Sequence, residues 1–480
     1  MPWLTRHPLL QRSLPRVQED LSATYTRSLQ KWLIIAPLMG LVIGAAISLV
    51  AWVILHEMWP RVMAQYLAHH WLIVPGLTVS MAVTGLIMQY LVANPDRHST
   101  EEVIEAYHNN SAIDMRTFPQ KLLASATTVG LGGSSALEGP SIYGGAALGT
   151  WLWSILQRGK RLRLTPRDRR IMLICGAAAG MSAVFRAPLT GIVFALEMPY
   201  KDDLAHEAVL PSLMASVVSY LTLGALLGNE VLFDFPAARD YTLRDLGWCA
   251  LLGVVIGLVA MVFGISFRRL RRLVVRWKLP HWVKLAVGGF LTGCIGLVFL
   301  WIFPGDIVPL GANYEVVRSV LNDAHSSTEL LAFTVFKLLA TAATLGFGGV
   351  GAMFVPMFLS GGCIGTAFAQ SVVQTPMVGM YAAVGMASFI AAAYKTPLAS
   401  VVFVAEATGG HGFIIPALIG AAVAYTVSGD ASISSDQQIR EARIEAQVEA
   451  HQEAQEAQEA AQETQEAQHA AQEAQHAAKA

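Results

Sequence analysis

Long apolar segments with few charges alternate with short polar stretches along most of the chain. The long segments lie at about 32–57, 71–92, 208–228, 244–266, 283–303, 328–345, 376–393 and 413–427. A helix needs about 20 apolar residues to cross the hydrocarbon core of a bilayer. The pattern therefore predicts an all-α polytopic membrane protein.

Shorter apolar pieces, interrupted by Gly and Pro, separate several of the long segments. They lie at about 121–155, 171–197, 346–370 and 397–406. Backbone that breaks at membrane depth is tolerated only where it is buried in protein or lines a polar cavity. We therefore predict broken and tilted helices at these places, packed inside the protein.

Two Gly-rich modules recur in the same order, roughly 210 residues apart. The segment from Gly176 to Glu197 aligns without a gap on the segment from Gly385 to Glu406, and an upstream module aligns Pro140 on Pro356. Two matches in the same order indicate an internal structural repeat. Broken helices in matching positions of two halves are typical of the binding site of a transporter.

The composition agrees with membrane residence. Of the 480 residues, 54% are hydrophobic and 14% are charged, whereas a soluble domain carries about 25% charged residues; a large soluble enzyme is excluded. Basic residues cluster in the N-terminal arm, at Arg158–Arg170 and at Arg268–Lys278. Because these clusters lie between apolar spans, we interpret them as marks of the cytoplasmic side rather than as nucleic-acid contacts.

Three regions follow from these observations. We predict a cytoplasmic N-terminal arm over 1–31 and a transmembrane domain over 32–435, with halves at about 32–228 and 244–428. Residues 436–480 form an acidic tail of Glu, Ala and Gln, which lacks an apolar stripe and is expected to be a solvated helix or disordered.

Two short segments have the residues of an anion site. Ala136-Leu-Glu-Gly-Pro140 and Ala352-Met-Phe-Val-Pro356 each place a Pro at the start of a new apolar helix, where its missing N–H costs nothing. A helix N-terminus carries about half a positive charge and unpaired N–H donors. Two such starts that converge at mid-membrane would hold an anion without a buried Lys or Arg.

Glu138 is the carboxylate of these two segments. Ionisable residues inside a membrane are functional candidates by default. An ionised Glu138 at a helix N-terminus would occupy the place of the anion, and a protonated Glu138 would be released. We therefore predict that Glu138 is a gate and proton carrier; the alternative is a helix-capping carboxylate with no transport role.

These residues resemble the prokaryotic type of the CLC family of chloride channels and chloride/proton antiporters. The resemblance rests on four motifs: Ala136-Leu-Glu-Gly-Pro140, Gly176-Ala-Ala-Ala-Gly180, Phe185-Arg-Ala-Pro-Leu-Thr-Gly191 and Gly351-Ala-Met-Phe-Val-Pro356. It covers most of residues 30–430. It implies a homodimer with one anion pathway per subunit, an antiparallel inverted repeat of broken helices, and neither a metal nor another cofactor.

The resemblance also implies roles for individual residues. Glu138 falls on the gating glutamate of the family, with Gly139 beside it in the anion-binding segment. Met353 and Phe354 fall where backbone N–H groups coordinate the central anion.

Ala136 and Ala352 stand where the two motifs of the family begin with Gly, and three further places depart from its pattern. The first of the segments that line the anion filter in the family is not recognisable in this sequence. By its spacing from Glu138 it would lie near Arg97-His-Ser-Thr100, so Ser99 or Thr100 is the candidate hydroxyl ligand of the anion. Met198 stands where many antiporters carry an inner proton-relay glutamate, and Ile433 is the nearest match to the pore tyrosine.

Glu197 is a tempting relay because it directly precedes Met198. Its repeat mate Glu406 occupies the same step of the same motif, away from any relay position. We therefore expect both glutamates to be structural, capping or pairing within each half.

We expect this chain to transport chloride or a similar small monovalent anion through a pathway gated by Glu138. It is expected to be a multi-pass protein of a bacterial inner membrane with cytoplasmic termini, in contact with lipid and not with nucleic acid. A passive channel and a proton-coupled antiporter remain alternatives, because Glu138 favours proton sensitivity whereas Met198 and Ile433 argue for altered or lost coupling.

Two other classes are disfavoured. A transporter of a larger organic anion would need Arg or Lys at the helix breaks, and neither break contains one. An intramembrane enzyme would need a His or Lys partner for its nucleophile, and the apolar segments offer no obvious one.

Overall fold

The computed structural model describes residues 8–92, 95, 99–158, 164–201, 203–228, 241–312, 316–317, 319, 325–408, 411–433 and 437–438, with the backbone alone for 8–29 and 411. Sixteen α-helices occur in these residues. The first half contains α1 (Pro8–Trp52), α2 (Trp59–Ala68), α3 (Ile73–Leu91), α4 (Ser99–His108), α5 (Thr117–Gly130), α6 (Glu138–Arg158), α7 (Pro166–Phe185), α8 (Pro188–Glu197) and α9 (Val209–Leu227). The second half contains α10 (Leu243–Val275), α11 (His281–Ile302), α12 (Ser327–Gly346), α13 (Phe354–Phe368), α14 (Val378–Tyr394), α15 (Pro397–Thr408) and α16 (Ile414–Val427).

Seven of the described helices are long and apolar enough to cross a membrane, which confirms the polytopic all-α fold. They are Gln30–Ala68, His70–Leu91, His206–Leu227, Leu243–Val275, His281–Ile302, Ser327–Gly346 and Phe354–Val373. The last of these was predicted as a broken piece, yet α13 continues through a short π-helix to Val373. Conversely, the apolar segments at 376–393 and 413–427 form shorter helices of 17 and 14 residues.

The predicted boundary between an arm and a first span does not coincide with a break in the backbone. Helix α1 runs through it, from Pro8 to Trp52. The predicted tail lies outside the described residues, apart from Gln437 and Gln438.

The internal repeat is visible in how the helices pack. Helix α6 packs on α7 as α13 packs on α14, and α1 packs on α9 as α10 packs on α16. Glycines permit the first pair of contacts, because a Cβ at Gly145 would overlap the backbone of Gly176, and a Cβ at Gly361 would overlap that of Gly385. The same small-residue contact is thus used at repeat-related positions, as is usual between closely packed membrane helices.

Both halves also break their helices in the same way. Arg186, the residue after α7, has φ 54°, and Lys395, the residue after α14, has φ 58°, both in the left-handed region. Two residues later, Pro188 and Pro397 begin α8 and α15. A left-handed residue that ends one helix and a Pro that starts the next are common termination and initiation signals, so these predicted breaks are confirmed.

Glu197 and Glu406 hold the two halves together by exchanging caps. Glu197 accepts hydrogen bonds from the backbone N–H groups of Leu398 (3.0 Å) and Ala399 (2.8 Å) at the start of α15. Glu406 accepts from the N–H (2.7 Å) and hydroxyl (2.6 Å) of Thr190 in α8. The expectation of capping was right, but its location within each half was wrong, because each carboxylate caps a helix of the other half.

Ion pairs and polar contacts join the basic ends of several helices. They are Lys31–Asp168 (2.6 Å), Arg271–Glu101 (2.9 Å), Arg170–Glu207 (3.5 Å) and Arg169–Asn110 (3.3 Å). They link the N-terminal end of the first span, the start of α7 and the C-terminal end of α10, directly or through α4. The basic clusters of the sequence therefore meet at one end of the bundle.

Candidate functional site

The two predicted anion segments lie side by side at the centre of the fold. Ala136 and Ala352 form an antiparallel bridge in which each N–H donates to the carbonyl of the other at 3.0 Å. The turns before them need glycine, because Gly132 and Gly348 have φ of 103° and 106°. Helices α6 and α13 therefore start two residues after a shared bridge, which confirms that the two helix starts converge.

The carboxylate of Glu138 sits on the N-terminus of the opposite helix. Its Oε1 accepts the N–H of Phe354, the first residue of α13, at 2.6 Å. The side chain is buried, and Oε2 has no hydrogen-bond partner among the residues that the structure describes. Glu138 thus takes the position that an anion would take at a helix start, and the helix it caps is α13 rather than its own.

The neighbouring donor is taken by a tyrosine that the sequence analysis missed. The N–H of Met353 donates to the hydroxyl oxygen of Tyr394 at 3.0 Å. Tyr394 is the last residue of α14, and its repeat mate is Phe185. The internal repeat aligns Tyr394 with Phe185, and this difference between the two halves could have identified Tyr394 as a candidate from the sequence.

Ile433, the nearest match to the pore tyrosine, brings no hydroxyl to the site. Its backbone N–H donates to the carbonyl of Ala393 at 2.9 Å, which places Ile433 next to Tyr394. A hydroxyl is nevertheless present, and it comes from α14 instead of the end of the chain.

An aromatic cluster surrounds Phe354. Its ring centroid lies 4.8 Å from that of Phe403, 5.1 Å from Phe185 and 5.8 Å from both Phe194 and Tyr394. These rings are buried and keep the helix starts in apolar surroundings. A low local dielectric strengthens the attraction between the helix N-termini and a negative charge.

The two candidate hydroxyl ligands, Ser99 and Thr100, are the first residues of α4, and the fold places their side chains in different surroundings. Thr100 lies beside the start of α6, since a Cβ built on Gly139 would be 3.5 Å from the Thr100 Oγ1 and 3.2 Å from the Gly351 carbonyl oxygen. Ser99 lines a cavity that adjoins residues 348–351. Arg97 and His98 of the same predicted segment lie outside the described residues.

That cavity leads from the basic end of the bundle toward the bridge. Its lining includes Lys121, Arg271 and Lys284 together with Ser99 and the loop at 348–351. Two of these cations are paired with carboxylates, Lys121 with Glu102 and Arg271 with Glu101, so their charge is largely compensated.

Two buried lysines at repeat-related positions were also missed by the sequence analysis. Lys121 Nζ donates to Glu102 at 2.6 Å, and Lys337 Nζ donates to the carbonyl oxygens of Gly311 (2.6 Å) and Val308 (3.2 Å). The two anion segments, 136–140 and 352–356, contain neither Lys nor Arg, but these lysines stand on α5 and α12, the helices that lead into them.

The start of the predicted tail is hydrogen-bonded to residues beside the site. Gln437 Nε2 donates to the carbonyl oxygens of Tyr394 (2.9 Å) and Met198 (3.2 Å). His108 Nε2 lies 2.8 Å from the Pro199 carbonyl oxygen. Met198 itself is buried and cannot titrate.

The family model described as voltage gated chloride channel matches residues 79–429. The chain is 30% identical over 314 residues to the H+/Cl− exchange transporter ClcA of Yersinia pestis, an alignment that spans 63% of each protein. Two solved structures share the fold. A CLC-type fluoride/proton antiporter matches 86% of this chain and 98% of its own (TM-score 0.74, 21% identity). A slow cyanobacterial Cl−/H+ antiporter matches 83% and 94% (TM-score 0.73, 22% identity).

Proposed function

The chain belongs to the voltage-gated chloride channel family, and from this premise we propose that it moves chloride or a similar small monovalent anion across a membrane. The observation that carries the proposal is the Glu138 carboxylate bound to the Phe354 N–H at the start of α13. A carboxylate oxygen and a halide ion are both negatively charged acceptors of a hydrogen bond from an N–H group. A halide ion can therefore bind at this N–H group when the carboxylate leaves it.

The same contact supports a role for Glu138 as a gate. An ionised Glu138 competes with the transported anion for the positive end of α13. A protonated Glu138 loses its charge and much of its attraction to this position, so it yields the site. We expect the Phe354 N–H to bind the anion directly and the Met353 N–H to hold the Tyr394 hydroxyl next to it. Gly139 and Thr100 are expected to line the same site, and Ser99 is expected to line the cavity that leads to it.

Proton-coupled exchange is the second candidate. It is favoured by the Oε2 of Glu138, which has no hydrogen-bond partner among the described residues and could take a proton, and by the exchange activity named for ClcA. Two features argue against proton coupling. Met198, at the expected inner end of the proton path, cannot titrate, and both carboxylate oxygens of Glu197 accept hydrogen bonds from α15. We therefore favour an anion pathway with weak or absent proton coupling.

We also propose the arrangement of the protein in its membrane. Its outward faces carry exposed large apolar side chains, among them Leu41, Leu221, Val262 and Trp301, which require lipid or another subunit as cover. The basic end of the bundle is expected to face the cytoplasm of a bacterial cell, together with both termini. Because the site is built within one chain, a homodimer would contain one pathway per subunit.

Anion flux from liposomes that contain the purified protein tests this function. Chloride efflux is recorded with the voltage clamped, with and without an imposed proton gradient. We expect chloride efflux well above that of empty liposomes. Efflux no faster than in empty liposomes, from protein that is folded and inserted, would refute transport.

A pH recording separates the two candidates. An outward chloride gradient is imposed at zero voltage, and the external pH is followed. Sustained proton uptake that is lost in Glu138→Ala would establish coupled exchange, whereas chloride flux without it would establish an uncoupled pathway. Subunit counting on single labelled proteins in the same membranes tests the dimer.

A further inference from the structure

We propose that Tyr394 is an anion ligand of this site, donating its hydroxyl hydrogen to the anion that replaces the Glu138 carboxylate. The inference rests on the proposed function, because it needs an anion to enter between α6 and α13. It adds a residue on α14 that binds the transported ion.

The first argument is the position of the hydroxyl. Met353 and Phe354 supply consecutive N–H groups at the start of α13, and the protein fills both with its own oxygens. The Tyr394 oxygen takes the first at 3.0 Å and the Glu138 carboxylate takes the second at 2.6 Å. Because these two N–H groups belong to consecutive residues, an ion in place of that carboxylate would lie near the hydroxyl.

The second argument is the unused hydrogen. The Tyr394 hydroxyl accepts one hydrogen bond, from the Met353 N–H. The hydrogen of this hydroxyl has no acceptor within the described part of the chain. A tyrosine hydroxyl can donate one hydrogen bond in addition to those it accepts. The hydrogen bond that the Met353 N–H donates also polarises the hydroxyl group and makes it a better donor. A negative ion at the neighbouring position would supply the missing acceptor.

The third argument comes from the repeat. Phe185 occupies the matching position of the first half and packs its ring on Phe354 with centroids 5.1 Å apart. The Tyr394 ring also packs on Phe354, with centroids 5.8 Å apart. A phenyl ring therefore meets the packing demand of this position, and the hydroxyl of Tyr394 adds a function that packing does not need.

The fourth argument is that Tyr394 is held in place. Its carbonyl oxygen accepts from Gln437 Nε2 at 2.9 Å, and the next residue, Lys395, donates to Ser428 Oγ at 2.6 Å. A donor fixed by its surroundings binds an ion without first losing conformational freedom. Tyr394 would thus stay in place while Glu138 leaves.

Binding measurements test the assignment in Glu138→Gln protein, where the competing charge is removed. Sodium chloride and sodium fluoride are titrated by calorimetry into Glu138→Gln and into Glu138→Gln/Tyr394→Phe. A hydrogen bond to a charged group contributes enough that its loss should weaken chloride binding by about 10-fold or more. The loss should be larger for fluoride, because a smaller ion approaches the donor more closely.

Tyr381→Phe is the matched control. Tyr381 is another buried tyrosine of α14, and its hydroxyl donates to Asp245 at 3.1 Å. In the Glu138→Gln protein, this control is expected to bind chloride as the parent does. Chloride binding by the Tyr394→Phe protein that equals or exceeds that of the control would overturn the proposal, because the hydroxyl would then only occupy the Met353 N–H.

Wild-type flux keeps this test apart from the test of the proposed function. If wild-type liposomes release chloride and Tyr394→Phe leaves both binding and flux unchanged, the ligand assignment fails and the function stands. If wild-type liposomes release no chloride and Glu138→Gln protein binds none, the function fails and the assignment falls with it.

Discussion

Replacing Glu138 by Gln should abolish the pH dependence of anion flux. In the wild-type protein, acid protonates the carboxyl group and removes the charge that holds it at the start of α13. Flux should therefore rise as the pH falls. The Gln side chain keeps the shape of Glu and can still accept the Phe354 N–H, but it carries no charge and does not titrate, so flux in Glu138→Gln should be high and independent of pH.

The size of the effect follows from the contact. A hydrogen bond to a charged group contributes about 1.5–3 kcal/mol, against about 0.5–1.5 kcal/mol for a neutral pair. A helix N-terminus adds roughly 0.3–1 kcal/mol, and more when the site is partly buried. Losing the charge should therefore weaken binding of the side chain at the start of α13 by about 1.3–2.5 kcal/mol, which raises the population of the open site roughly 10- to 70-fold.

Chloride efflux from liposomes at a series of pH values measures this directly. Glu57→Gln serves as the control, because Glu57 forms a surface pair with Arg61, away from the bridge. The control should keep the pH profile of the wild type. If chloride efflux in Glu138→Gln depended on pH as strongly as in the wild type, the role of Glu138 as a gate would be refuted. The same holds if efflux in Glu138→Gln at neutral pH were no higher than in the wild type.

Four further outcomes are expected. Glu197→Ala and Glu406→Ala should each lower stability in thermal unfolding, because loss of a helix cap costs about 1–2 kcal/mol; an unchanged midpoint would contradict the exchanged caps. Gly145→Val should yield no folded protein by size-exclusion chromatography, since its side chain would overlap the backbone of α7. Deletion of 441–480 should leave flux nearly unchanged, whereas deletion that also removes Gln437 should lower the unfolding temperature. An outward chloride gradient at zero voltage should drive little proton uptake, and sustained uptake would contradict the uncoupled pathway.

The sequence contains enough information for the repeat and for the helix breaks. Gly and Pro change local backbone preferences strongly, so they mark helix ends wherever the chain folds. The helix starts at Glu138 and Phe354 follow from such local signals. The length of α13 was misjudged because its glycines, which suggest breaks in an isolated segment, serve instead to bring it close to α14.

Contacts between distant segments could not be predicted in the same way. Tyr394 meets Met353 only because α14 ends beside the start of α13, which depends on how the two helices pack. Glu197 and Glu406 were correctly assigned as caps, yet a repeated motif is equally compatible with caps inside each half and caps exchanged between halves. Only the three-dimensional arrangement distinguishes these two possibilities.

The exchanged caps also impose an order on biosynthesis. The Leu189 N–H at the start of α8 is capped by Glu406, 217 residues further along the chain. At about 5–20 residues per second, the ribosome needs roughly 10–40 s to cover that distance. During this interval the first half is already in the membrane with the start of α8 uncapped, so its final structure must await the synthesis of the second half.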